Sequence, residues 1–310
     1  MRNKPGRPAN GLVDCLNIQL WYFEIAERLG VTSSYAVEKY YKENQPDFRP
    51  PFRNTNQFKK YEKGNFFPGK EITDWFESRS EGKFKGTSKL LHHPFWRLLK
   101  APAMPHADLY TILHELPADI LIHLPWPSRA LRYSTKVCSF DSLAVCLWLI
   151  CERRHHFSDS PLKIFYPATL NFILILSCMA SHDPFLRVAK PLYQYFKDTF
   201  LPKDKKDDIH KMLQHVKLDG LISKNALILK IIDETSILSQ LKDAPPSCLY
   251  LAQKHLPDNV ISEVMPLINS KKWRQLKRHD QVKKLTASLK RWEKNILSDN
   301  ALRETPSQFT

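Results

Sequence analysis

Cys146, Cys151, His155 and His156 come nearest in this chain to a set of metal ligands. Thiolates and imidazoles hold zinc when four of them converge tetrahedrally. On a helix, spacings of five and four residues carry Cys146 off the face that Cys151 and His155 share. No C-x-x-C pair and no second ligand pair at zinc-finger spacing accompanies them, so neither a metal nor another cofactor is expected. His92-His93-Pro94-Phe95-Trp96 reads as a helix entrance with a buried aromatic, not as a general base. His182-Asp183-Pro184 reads as a helix stop and restart with Asp183 as the cap. The strings G-x-x-x-x-G-K-S/T, G-x-G-x-x-G, H-E-x-x-H and G-x-S-x-G are all missing. A nuclease built from dispersed Asp, Glu and Lys would leave no compact string, so enzymatic activity stays open as the lesser expectation.

Positive charge is what the chain has in quantity. Its 310 residues carry a formal charge of +15. Such an excess points to a polyanionic partner: nucleic acid first, an acidic membrane surface second, an acidic protein third. Residues 271–294 hold ten Lys and Arg against Asp280 and Glu293, a local charge of +8. Read as part of one basic helix over 271–297, Trp273, Leu276, Leu285, Leu289, Trp292 and Ile296 supply an apolar stripe beneath a basic face. That face offers Lys272, Arg274, Lys277 and Arg278 as a second nucleic-acid contact. The plainer alternative is a solvated terminal helix docked by its Trp, Leu and Ile side chains.

The elements that must position these groups are helical. With 8 Gly against 22 Pro, the composition suits helices joined by Pro-containing connections rather than Gly-rich hairpins. Alternating β-branched runs are scarce, so the expected fold class is all-α. Residues 1–13 read as a basic flexible arm, 14–100 as an N-terminal helical domain, and 106–310 as a larger helical bundle. Its segments are expected at 107–116, 140–155, 168–181, 184–200, 206–216, 225–241, 247–255, 260–268 and 271–297. Six cysteines set mostly in apolar runs read as buried, reduced thiols of a cytoplasmic protein. Arg2, Lys4 and Arg7 lead into Pro8, Asn10 and Asp14 with no apolar stretch, so no signal peptide is expected. Ile164–Ala180 is interrupted by Pro167 and Asn171 and reads as a core helix, not a membrane span.

Within the N-terminal part, Leu16–Leu29 fits a helix ending at Gly30, and Thr32 or Ser33 can cap a second helix running to about Lys42. Asn44–Arg53 contains Pro46, Pro50 and Pro51 and must be a loop. A short third helix over Thr55–Lys63 stops at Gly64. A fourth, over Gly69–Arg79, turns Ile72, Trp75 and Phe76 inward. The string Ile25–Val37 has the makings of two helices packed tightly across a sharp turn: an apolar pair, then Leu29-Gly30-Val31, then polar caps and Ala36-Val37.

Joined to Phe58-Lys59-Lys60-Tyr61-Glu62-Lys63-Gly64 and Pro68, this pattern resembles the Xre/Cro-like (lambda-repressor-type) helix-turn-helix family over residues 16–80. The resemblance implies that Thr55–Lys63 is a recognition helix. Thr55, Asn56 and Gln57 would then read base edges, where Asn and Gln pair bidentately with adenine. It assigns phosphate contacts to Lys59, Lys60 and Lys63, and a core role to Tyr61. The Lys42–Asn54 connection is longer than the family's; it either contacts DNA through Arg49 and Arg53 or marks a repurposed module. Residues 25–41 also read as a self-contained helix-turn-helix with Ser33, Ser34 and Tyr35 facing bases, though Lys39 stands near an expected apolar slot. The function these features imply is sequence-specific binding of double-stranded DNA, by a homodimer or larger complex, in a bacterial or mobile-element regulator or defence component. The competing expectations are an all-α adaptor or toxin-like effector that meets RNA or an acidic protein, and the dispersed-site nuclease.

Overall fold

A computed structural model describes residues 11–78, 82–100, 106–122, 129–131, 134, 138–155, 164–201, 216–234 and 246–304. The chain is all-α, as expected. Among the described residues the first six helices are α1 (Leu12–Leu29), α2 (Ser34–Glu43), α3 (Gln57–Glu62), α4 (Lys70–Ser78), α5 (Thr87–Leu91) and α6 (Pro94–Leu99). They are followed by α7 (His106–Leu113), α8 (Ala118–Leu121), α9 (Phe140–His155), α10 (Phe165–Met179) and α11 (Asp183–Phe200). The remainder are α12 (Leu218–Glu234), α13 (Pro246–His255), α14 (Asp258–Asn269), α15 (Trp273–Arg278) and α16 (Asp280–Glu304).

Helix α1 carries apolar side chains on two rows and buries both. Ile18, Trp21, Tyr22, Ile25 and Ala26 face an N-terminal core with Val37, Phe58, Tyr61, Ile72, Phe76 and Phe84. Val13, Leu16 and Leu20 face a central core built on α6, α9, α10 and α11. The helix ends where Gly30 turns left-handed at φ 73°, so that the Gly30 and Val31 amides close back on Glu27 and Ala26. Helix α2 begins where the Ser33 hydroxyl accepts from the Ala36 amide at 3.2 Å.

In the central core α9 packs along α10, and Phe172 stacks on Phe196 of α11 with centroids 4.1 Å apart. The wholly apolar run from Leu143 to Cys151 is buried there, which is why it shows no amphipathic period. A third core gathers α12 to α16 around Ile228, Ile231, Val264, Leu276, Leu285 and Leu289. Polar ties cross between these layers: Asn225 donates to the Ser177 hydroxyl at 3.3 Å, and the Tyr250 hydroxyl to Asn171 at 3.1 Å. None of the described helices is long and apolar enough to cross a membrane.

Some expected boundaries move and others lie outside the described residues. The helix that follows the basic arm begins at Leu12, and residues 1–10 lie outside the described ones. The boundary expected at 101–105 also lies outside them, and apolar packing runs across it from Phe95, Leu98 and Leu99 to α9. Most of the segment expected at 206–216 is likewise outside. The stretch read as one helix over 271–297 is two, because His279 is extended (φ −63°, ψ 128°) between α15 and α16. Asp183 does not cap its helix: His182 holds that position, and Asp183 pairs with Arg187 at 2.8 Å instead.

Candidate nucleic-acid interface

Helix α3 is six residues long, too short to hold itself together, and its shape comes from what surrounds it. Phe58 and Tyr61 point inward, and Tyr61 meets Trp21 edge-on at 5.7 Å. At the other end Gly64 is left-handed at φ 71° and lies so close to α1 that a Cβ would stand 2.7 Å from the Cys15 Cα. The Asn65 amide closes back on Lys60 at 2.9 Å, which ends the helix. Gln19 of α1 donates to the Glu62 carbonyl at 3.2 Å.

The start of α3 is held by Glu38, a residue to which the sequence pattern assigns no role. Its side chain, 1% exposed, accepts from the Thr55 amide and hydroxyl and, at 3.3 Å, from the Phe58 amide. The long 44–56 connection is therefore pinned at its far end by α2. No local pattern signals this tie, because Glu38 lies 17 and 20 residues from the two residues that donate to it, across a Pro-containing loop.

The sequence-predicted side chains divide as follows. Lys59, Lys60 and Lys63 are all exposed on α3 and its end, with no ion pair to a described carboxylate. Lys60 lies over the ring of Phe66, 5.3 Å from its centroid, and Phe66 is itself 41% exposed. Asn56, left-handed at φ 56°, stands exposed at the N-cap with its amide N–H held by the Asn54 side chain at 2.8 Å. Thr55 is engaged by Glu38. Gln57 donates to the Tyr61 hydroxyl at 3.0 Å. Burial raises the Tyr61 phenol's pKa; the Gln57 hydrogen bond opposes this without cancelling it. Of the three residues expected to read bases, Asn56 alone makes no side-chain hydrogen bond to a described residue.

Beside this face the 44–56 connection folds into an open groove of about 590 Å³, lined by Tyr41, Phe48, Arg49, Phe52, Arg53 and Thr55 among others. Ser33 caps α2, and Ser34 is half-buried in its first turn. Their neighbour Tyr35, 51% exposed, meets Phe52 edge-on at 5.3 Å, which brings the start of α2 to the groove. The two alternative sets of sequence-predicted residues thus lie on adjoining parts of one surface. Phe48, Phe52 and Phe66 were not expected there; single aromatics in a polar loop carry no periodic signal.

Lys272, Arg274, Lys277 and Arg278 stand exposed at the start of and along α15, on the third core. Leu276, Val282, Leu285 and Leu289 are fully buried, and Lys283, Lys284, Lys290, Arg291 and Lys294 of α16 face outward. The Lys283–Asp280 contact at 3.2 Å joins two exposed groups and neutralises little of this strip.

Cys146 and Cys151 are wholly buried, and burial pushes the Cys146 thiol up to about 12. No group of three or more His, Cys, Asp or Glu among the described residues could hold a metal ion. His93 accepts from the Phe95 amide through Nδ1 at 3.1 Å and lies 3.0 Å from Asp141 through Nε2, a structural junction between α6 and α9. Comparison of the chain with protein-family models, with curated proteins and with solved structures finds no match to any of them.

Proposed function

We propose that the protein binds double-stranded DNA, with α3 as the element laid against it and α15–α16 as a second phosphate contact. The observation that carries this reading is the face of α3: three lysines, none paired with a described carboxylate, on a short helix whose other side is fixed by Phe58 and Tyr61. Lysines in that setting neutralise phosphates and set register, and they do not select sequence. Sequence selection falls to Asn56, whose side-chain amide can pair with an adenine edge. Thr55 and Gln57 contribute by holding the N-terminus of α3 in place. The helix-turn-helix likeness rests on α1, α2 and α3 packing together, with the longer connection pinned by Glu38. Six helical residues reach few bases, so tight and selective binding calls for more contact than one α3 provides. The strip on α15–α16, or a second copy of the chain, would supply it. Action as a regulator or defence component belongs to the same proposal and rests on the helix-turn-helix resemblance.

The test is binding to mixed-sequence duplex DNA and duplex RNA across a salt series, with and without Lys59→Glu/Lys60→Glu/Lys63→Glu. Each phosphate no longer neutralised should flatten the log–log salt slope by about 0.9. The expected result is preference for DNA, a shallower slope in the triple variant, and selection among sequences that Asn56→Ala removes at little cost in non-specific affinity. Equal weak binding to all polyanions, unchanged by the triple variant, would overturn the reading in favour of an interaction protein. Metal-dependent degradation of the DNA itself would reveal a nuclease.

A further inference from the structure

The groove on the 44–56 connection has a chemistry that duplex binding does not use. A duplex presents phosphates and base edges, and its base faces are stacked away from solvent. Here aromatic faces are offered instead. Phe48 and Phe52 are half-exposed on the loop, Tyr35 stands 51% exposed against Phe52, and Tyr41 forms the inner wall. Tyr41 also touches Phe58, Trp75 and Phe76, so the groove is built onto the rigid N-terminal core and does not hang free. Arg49 and Arg53 are exposed at its edge, and neither pairs with a described carboxylate. Asp47 is the one acid among its described lining residues. A space of about 590 Å³ suits a flat group with an anionic tail, within the usual range for organic ligands.

From this geometry we propose that the groove binds single-stranded DNA, stacking unpaired bases on Phe48 and Phe52 and setting their phosphates on Arg49 and Arg53. Alternating aromatic and cationic groups are how proteins hold unpaired strands, because every base has a face to stack whatever its sequence. Exposed arginines add planar guanidinium groups that meet phosphate in two-point contact. The proposal deepens the duplex-binding one and rests on it. Thr55 lines the groove and also begins the approach to α3, so a strand leaving the duplex at α3 would run directly into it. The preferred substrate of the whole surface is then DNA with a junction between paired and unpaired strands.

The probe is a twelve-nucleotide oligothymidylate carrying one 2-aminopurine, used free and as the unpaired arm of a duplex of either polarity, with the full chain. Stacking should quench the 2-aminopurine, and the junction should bind more tightly than a blunt duplex of equal length. Phe52→Ala and Arg49→Ala/Arg53→Ala should each weaken single-strand binding about tenfold, and Phe52→Ala, which removes no charge, should leave blunt-duplex affinity unchanged. Phe52→Tyr, which keeps a ring to stack on, should retain most of the quenching. Thermal melting of each variant, matched to the parent, separates a binding defect from a folding defect. Quenching that is absent, or untouched by the Phe52 and Arg variants, overturns the groove. So does a preference for single-stranded RNA, or displacement of the strand by a mononucleotide at equal affinity. The two proposals fail separately: quenching without duplex binding removes the role of α3 alone, and duplex binding without quenching removes the groove alone.

Discussion

A carboxylate as buried as that of Glu38 is tolerable only where hydrogen bonds replace its water, and Thr55 and Phe58 supply them. Hydrogen bonds to a charged group contribute about 1.5–3 kcal/mol, and truncation leaves the donors without a partner. Glu38→Ala should therefore destabilise the fold by about 3 kcal/mol, read as a fall in the urea midpoint. Glu38→Gln, which keeps one acceptor, should cost less. Equal stability in the alanine variant would mean that the Pro-containing loop holds α3 unaided. Gly64 makes a second prediction. Gly30 and Gly64 share the left-handed backbone, but only at Gly64 would a Cβ collide with α1, 2.7 Å from Cys15. Gly30→Ala should cost about 1 kcal/mol, the strain of the conformation alone. Gly64→Ala should cost several times more in the same urea experiment, and equal costs would show that α1 yields at Cys15.

At the scale of elements, the helices that were legible in the sequence are those with a period and a stop. Phe58, Tyr61 and Gly64 marked α3, and Ile72, Trp75 and Phe76 marked α4. The break at His279 was not legible, because neither Pro nor Gly stands there; Leu276 before it and Val282 after it are both fully buried. The groove was half legible: Arg49 and Arg53 could be picked out by charge, but not Phe48 and Phe52. Helix α5 shows the same dependence on distant partners. Its five residues start from Gly86, and the Glu77 carboxylate of α4 accepts from the Gly86 amide at 2.6 Å and the Ser88 amide at 3.0 Å. Burial pushes the Glu77 carboxyl's pKa up. The Gly86, Ser88 and Thr87 hydrogen bonds and the Arg28 charge outweigh that and leave it below its ordinary value. A carboxyl lowered on folding stabilises the fold above its unfolded pKa of about 4.3, and that contribution fades as pH falls through the lower folded value. The stability of the parent should fall more steeply below about pH 4.3 than that of Glu77→Gln. Parallel curves for the two proteins in urea unfolding across that range would show that the cap contributes nothing to folding.

For the molecule as a whole, α1 decides whether the N-terminal helices are a separable module. One row of its side chains completes the core that holds α3, and the other row, Val13, Leu16 and Leu20, belongs to the central core. Helix α6 is committed in the same direction through Phe95, Leu98 and Leu99, all fully buried beside α9 and α10. Cutting the chain after residue 100 would leave these six side chains facing water. At about 1.5–3 kcal/mol for each large apolar side chain, the exposure amounts to about 9–18 kcal/mol. That is on the order of the whole net stability of a domain, about 5–15 kcal/mol. A fragment of residues 11–100 is therefore expected to lose cooperative unfolding and to bind a hydrophobic dye, although it contains every residue of the α3 face and the groove. In the full chain, fluorescence of Trp21 and of Trp148 should report one shared transition, since α1 couples the cores that hold them. A sharp melt of the isolated fragment would show that α1 and α6 can cover their second faces locally. The α3 face and the groove would then form a transferable module, and the rest of the chain would be free to serve a separate purpose. If the fragment is instead molten, the α3 face and the central helices form one cooperative unit. Anything that perturbs α9–α11 would then be felt at α3.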